Sequence, residues 1–235
     1  MIATQKSSAP RPAFWLPLEN GDRLSRPEFE RRYERMPRLK KAELIEGVVY
    51  MTSAVRFDHA YAHGRVLGWI AVYFAATPGV HFADNATVRI DGENDAQPDI
   101  LLCVAHGGRS RLSADNYVEG VPELIVEIAG SSAAYDLHDK LRVYRRNGVP
   151  EYLIWQMYEQ RFDWLIWQDG EYAALPPDAD GIIRSRAFPG LWLDVESLLA
   201  GNLAHVLEVV QQGVQTAEHA AFVRSLSPDA PPVSS

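Results

Sequence analysis

The sequence has 235 residues, of which 47% are apolar and 23% charged, with a formal net charge of -8 and a pI near 5.4. That is the composition of an ordinary soluble globular chain with enough length to bury a sizeable core. No apolar run approaches a membrane span, no signal segment opens the chain, and the single cysteine, Cys103, excludes an internal disulfide and a cysteine-rich zinc site.

The default expectation is therefore a cytoplasmic protein that does not enter a membrane. Its net acidity argues mildly against a dedicated nucleic-acid binder, since phosphate contacts need clustered Lys and Arg. Basic residues do gather between Arg23 and Lys41 and again at Arg142, Arg145 and Arg146, so a basic patch on an acidic protein remains open.

Residues 1–21 are rich in Ala, Ser and Pro and read as a flexible arm. Ser25, with Pro27 and Glu28 behind it, caps a short helix that Pro37 ends. Glu43 to Met51 reads as one strand with a bend at Gly47. From Asp58 to Ala76, Val66, Trp69, Ile70, Tyr73 and Phe74 recur at helical spacing, and Pro78-Gly79 stops that helix. Val80 to Ile90 reads as a single strand, followed by a polar turn at residues 91–95.

Two apolar runs opened by proline come next: Pro98-Asp99-Ile100-Leu101-Leu102-Cys103-Val104 and Pro122-Glu123-Leu124-Ile125-Val126-Glu127-Ile128. The Gly/Ser/Arg-rich stretch from Ala105 to Glu119 between them reads as a mobile lid. Asp136 to Asn147 is a helix ended by Gly148 and Pro150. Tyr152 to Trp155, Arg161 to Gln168 and Glu171 to Leu175 follow as strands, with Asp169-Gly170 as a hairpin signal. Asp194 caps a final helix, and the tail from Ser225 reads as disordered. No internal repeat interrupts this order. The fold class is α/β, a mixed central sheet flanked by helices.

The acids in the two apolar runs carry the chemistry. An isolated carboxylate is costly to bury, so Asp99 and Glu127 call for a counter-ion, a metal or a catalytic task. Alternation on a strand puts Asp99 on one face with Leu101 and Cys103, and Glu127 with Ile125. If the two strands are suitably registered, Asp99, Glu127 and a backbone carbonyl, that of Ile128, form an oxygen site suited to Mg2+ or Mn2+. Structural ion pairing is the competing reading of the same residues. Cys103, inside an apolar run, reads as a small buried side chain. His59 and His63 are one helical turn apart, which without a third ligand is weak support for zinc. A capping role for His59 competes with a role as base.

Pro98-Asp99, Glu127 and Lys140 together resemble the PD-(D/E)xK nuclease superfamily. The chain is more narrowly similar to the Uma-two family of restriction endonucleases. The pieces that carry the likeness are Glu43-Leu44-Ile45-Glu46-Gly47, His59, Pro98-Asp99, Val126-Glu127-Ile128, then Asp136, Lys140 and Tyr144, and Gly148-Val149-Pro150-Glu151-Tyr152.

The resemblance implies a restriction-endonuclease-like domain, placed at residues 22–210; a helical end and disordered tail are expected at 211–235. It implies a Mg2+- or Mn2+-dependent phosphodiesterase acting on nucleic acid, DNA in the first instance, with Asp99, Glu127, Lys140, Glu43 and His59 as its catalytic set. Two departures stand out. Ala129 occupies the position two residues after the second acid, where the superfamily has its lysine, so Lys140 must supply the ammonium from the next helix. Gln156 stands where the family tends to have Asp.

A catalytically idle member of the same fold, serving as a protein-interaction or nucleic-acid-binding module, is the alternative. Six tryptophans and ten tyrosines, with Trp155, Trp164 and Trp167 crowding the late strands, raise the expectation of a homodimer. Lys140→Ala is expected to abolish cleavage while leaving the fold largely intact.

Overall fold

The computed structural model describes residues 15–51, 55–130 and 135–227, the side chains of 135–137 excepted. Helix α1 (Arg26–Tyr33) starts behind Ser25 with proline in its first turn and buries Phe29. Strands β1 (Ala42–Ile45) and β2 (Val48–Met51) form a hairpin where one bent strand was expected. The reason is local: Glu46 and Gly47 both have positive φ, 51° and 73°, as a two-residue turn matching strand twist requires. Helix α2 (Phe57–Ala76) spans the expected segment and buries Val66, Trp69, Ile70 and Tyr73.

The segment read as one strand from Val80 to Ile90 is two, β3 (Val80–Asp84) and β4 (Val88–Asp91), in different sheets. Asn85, at φ 51°, breaks it. After β5 (Asn94–Ala96) and β6 (Ile100–Val104), the expected lid is an ordered hairpin, β7 (Ser110–Leu112) with β8 (Val118–Gly120). Glu123 ties its base down, accepting from Arg109 N at 2.7 Å and Val104 N at 2.9 Å. Strand β9 (Leu124–Ala129) leads to a π-helical turn, Tyr135–Lys140, and then to α3 (Leu141–Arg146).

Strands β10 (Glu151–Gln156), β11 (Arg161–Gln168) and β12 (Glu171–Ala174) follow as a meander, and β13 (Ile182–Arg184) pairs with β14 (Trp192–Asp194). Asp194 caps α4 (Val195–Ala200) through Ser197 N, as its position suggested, but α4 is not the last helix. It is followed by α5 (Leu203–Val214) and α6 (Ala217–Ser225). Helix α6 returns to α2, with His219 Nε2 lying 3.0 Å from Thr77 Oγ1. The arm expected to be flexible over residues 1–21 is packed at its end, where Leu18 is buried and Gly21 N donates to Val49 O at 2.8 Å. Ser225, where the tail was expected to begin, closes α6; residues 1–14 and 228–235 lie outside the described residues. No described helix is long and apolar enough to cross a membrane.

Two six-stranded sheets result, ordered β2-β1-β5-β4-β8-β7 and β12-β11-β10-β9-β6-β3. Strands β6 and β9 are adjacent and neither is at an edge, as their two-sided apolar character predicts. Their even-numbered residues, Ile100, Leu102, Val126 and Ile128, pack into the core containing α2. The odd-numbered Leu101, Cys103, Ile125 and Ala129 pack with Ile45, Val88 and Ala96 of the other sheet and with α3. Asp99 and Glu127 are odd-numbered, so they belong to this second face.

Trp155 and Trp164 are consumed by the core, and Trp167 Nε1 donates to Arg145 O at 3.0 Å. Two of the three tryptophans that suggested an interface are therefore unavailable for one. The basic clusters are also largely spent internally: Arg142 and Arg146 pair with Glu46, Arg145 with Glu171, and Arg31 and Arg32 with Glu28.

Asp95 on β5 is 1% exposed, and its Oδ1 has no hydrogen-bond partner. Burial, reinforced by Glu30 and opposed by Arg26, raises its carboxyl to about 7. The folded chain thus holds a proton there that the unfolded chain releases near 3.8, so this contribution is fully present below 3.8 and is lost as pH rises towards 7. Asp95→Asn should flatten that part of the stability profile and raise stability at pH 8 by on the order of 2 kcal/mol. Urea unfolding at pH 5 and pH 8 measures it; an unchanged pH slope refutes the assignment.

Candidate active site

Register creates the site. Strands β6 and β9 run antiparallel with Ile100 opposite Val126, and one step beyond the ladder Asp99 faces Glu127. Here the Asp99 side chain takes over from the backbone, Oδ2 accepting from Ile128 N at 2.8 Å. Odd-numbered residues of β9 direct their backbone groups at β10, as in Met157 N to Ala129 O. Ile128 accordingly directs both its N–H and its C=O towards the Asp99 side.

Lys140, at the end of the π-helical turn, enters between two acids. Its Nζ lies 2.8 Å from Glu127 Oε1 and 2.9 Å from Glu43 Oε1. Glu43, Glu127 and Lys140 are each 1–2% exposed. Tyr144, one helical turn after Lys140, donates to the same Glu127 oxygen at 2.9 Å, and Gln97 N donates to Glu43 Oε1 at 2.6 Å. Lys140 is thus a buried cation held by the carboxylates on either side of it. Burial also pushes the Tyr144 hydroxyl well above its ordinary range, aided by the charge of Glu127.

Asp99 has further cationic company. Lys41 Nζ is 3.4 Å from Oδ1, and His59 Nε2, on the first turn of α2, is 3.7 Å from Oδ2. Burial alone would raise the Asp99 carboxyl, but Lys41, Lys140, the Ile128 N–H and His59 outweigh it and hold the group below its usual range. Asp99 is therefore ionised at neutral pH. The stability it confers is present above its unfolded pKa and lost as pH falls through the lowered folded value.

His59 Nδ1 is buried with no hydrogen-bond partner. His63 is turned to structural use, its Nε2 lying 3.2 Å from both Asp99 O and Asp84 Oδ1. Among the described residues no three His, Cys, Asp or Glu side chains converge as a metal-holding group. The fit of Mg2+ or Mn2+ rests instead on hard oxygens: the Asp99 and Glu127 carboxylates and the Ile128 carbonyl that faces them.

All five expected catalytic residues, Asp99, Glu127, Lys140, Glu43 and His59, come together. Lys41 and Gln97 were missed. Lys41 could have been found by parity, since it stands two residues before Glu43 and shares its side of the chain. Gln97 left no such signal, because it acts through its backbone N–H. Asp136, one of the pieces that carry the family likeness, lies outside the described side chains.

The same fold occurs in the solved structure of a putative nuclease belonging to DUF820 from Anabaena variabilis ATCC 29413. It is 14% identical, with a TM-score of 0.56, and the match covers 72% of this chain and 96% of that one. At that identity the likeness is one of fold. No curated protein matches the chain. The family described as Uma2, putative restriction endonuclease, matches residues 26–196, a span containing Glu43, His59, Asp99, Glu127 and Lys140. The chain belongs to the Uma2 family of restriction endonuclease-like proteins.

Proposed function

We propose that the protein is a metal-dependent phosphodiesterase acting on nucleic acid, with DNA as substrate. The observation that carries this reading is the convergence of Asp99, Glu127 and Lys140 at the end of two adjacent buried strands. Asp99, Glu127 and the Ile128 carbonyl would hold Mg2+ or Mn2+, and Glu43 would keep Lys140 in register. When bound, such a metal supplies charge neutralisation and a more acidic water.

The chain's own groups do the rest. The Lys140 ammonium meets a phosphate oxygen and stabilises the charge that develops there. Lys41 adds a second cation beside Asp99, and His59 is the proton-carrying group next to the same carboxylate. Tyr144 fixes the Glu127 oxygen that Lys140 also holds, which limits how either side chain can turn.

Plasmid nicking in Mg2+, Mn2+ or EDTA tests the reading, with Asp99→Asn as the comparison. The wild type should nick with metal and not in EDTA, and Asp99→Asn should lower the rate by roughly a thousandfold or more. Cleavage that persists in EDTA, or that Asp99→Asn leaves unchanged, overturns it.

A further inference from the structure

Arg65 on α2 is only 8% exposed, yet its Nε and Nη2 have no hydrogen-bond partner. These two nitrogens form the side-on fork with which a guanidinium grips a two-oxygen anion. Arg31 uses the same pair on Glu28, at 2.8 and 2.7 Å. Next to Arg65, Trp155 is 3% exposed and its Nε1 is also without a partner. The guanidinium carbon lies 5.2 Å from the Trp155 ring centre and 5.8 Å from that of Tyr61. A buried cation beside an orphaned indole N–H is a costly arrangement, and an oxyanion would satisfy both.

The surface next to this fork is unusual as well. Phe57 and Tyr61 are 83% and 58% exposed, and their rings stack at 5.9 Å with 18° between planes. With Arg65 they make an i, i+4, i+8 stripe on α2, the helix whose first turn brings His59 to Asp99. Exposed aromatic faces next to a guanidinium are what an unpaired nucleotide needs, a platform for its base and a cation for its phosphate. A duplex cannot use the platform, because its base faces are hidden in the stack.

We infer that the Phe57–Tyr61–Arg65 stripe seats one nucleotide of an unpaired nucleic-acid strand, its base on the two exposed rings and its phosphate on the Arg65 fork and the Trp155 indole. The inference rests on the nucleic-acid reading of the neighbouring site. The rings of Tyr61 and Trp155 flank the Arg65 guanidinium, and of the two it is Tyr61 that is exposed.

Fluorescence anisotropy in EDTA, with a labelled single strand and the matching duplex, measures binding without cleavage. The wild type should prefer the single strand. Phe57→Ala/Tyr61→Ala, both at exposed positions, should weaken single-strand binding by about tenfold or more and leave duplex binding unchanged. Arg65→Met, which keeps an apolar stem, should weaken it too and reduce the salt slope by about 1.

Equal binding by wild type and variants, or preference for the duplex, overturns the inference. So does protection of the wild type against heat by inorganic phosphate alone with strand affinity indifferent to Arg65→Met, which would mark a free-anion site. Loss of a dimer in Phe57→Ala/Tyr61→Ala at unchanged strand affinity also overturns it, and would assign the stripe to contact between copies. Because the assay needs no cleavage, it can fail while Asp99→Asn still abolishes nicking, so the two readings fail separately.

Discussion

Lys140→Met should abolish cleavage and also cost about 3–5 kcal/mol of stability, because it withdraws the ammonium lying between two buried carboxylates. The stability loss departs from what the sequence suggested, and burial is the reason: a lysine in solvent can be removed cheaply, whereas this one is 1% exposed. Adding Glu127→Gln to Lys140→Met should recover part of the stability by removing one of the two stranded charges, without restoring cleavage. Urea unfolding and plasmid nicking on the three proteins check both halves. Stability of Lys140→Met within about 0.5 kcal/mol of wild type, or cleavage at the wild-type rate, sinks the assignment.

Glu151→Ala should be destabilising on a similar scale, about 3–5 kcal/mol, far from any proposed chemistry. Glu151 is 1% exposed, and no cation pairs with it among the described contacts. Four donors satisfy it instead. Oε1 accepts from Arg186 N at 2.6 Å and Ala187 N at 2.9 Å, and Oε2 from Ser185 Oγ at 2.8 Å and Trp164 Nε1 at 3.1 Å. Burial raises its carboxyl, and these donors only partly offset that.

The carboxylate thereby ties β10 and β11 to the turn that leads into β14. Alanine would leave the donors without an acceptor. Glutamine should fall between, since it keeps one oxygen but turns an NH2 towards the other pair of donors. Thermal unfolding should rank wild type above Glu151→Gln and Glu151→Gln above Glu151→Ala. A Glu151→Ala protein as stable as wild type refutes the anchoring role.

The acids were legible because each breaks an apolar pattern. Asp99 and Glu127 stand out in runs that would otherwise be uniformly buried, and period-two alternation assigns each to a face of its strand. The same reasoning found α2, whose apolar residues recur at helical spacing, and the hairpin at Asp169-Gly170. It went wrong at Glu46-Gly47 and Asn85, where chain reversal or a strand break depends on one or two residues entering the left-handed region. A non-glycine residue does so uncommonly, and whether Glu46 or Asn85 enters that region depends also on packing on either side, which local sequence does not reveal. The lid reading of Ala105 to Glu119 failed similarly, because Glu123, outside the loop, anchors its base.

By itself, the sequence marked Asp99 and Glu127 as carboxylates on buried strands, and the family resemblance added an acid ahead of a turn, a histidine at a helix start and a lysine on the following helix. Only the tertiary structure decided that they meet. Pairing Ile100 with Val126 puts Asp99 opposite Glu127, and a slip of one residue would have sent one acid to the α2 face. Glu43 joins them from the other sheet, and Lys140 is turned inward to lie between Glu43 and Glu127. Register and the packing of one sheet on another are set by contacts between residues far apart in the chain. A pattern of near neighbours carries the face of each residue but not its partner across the interface.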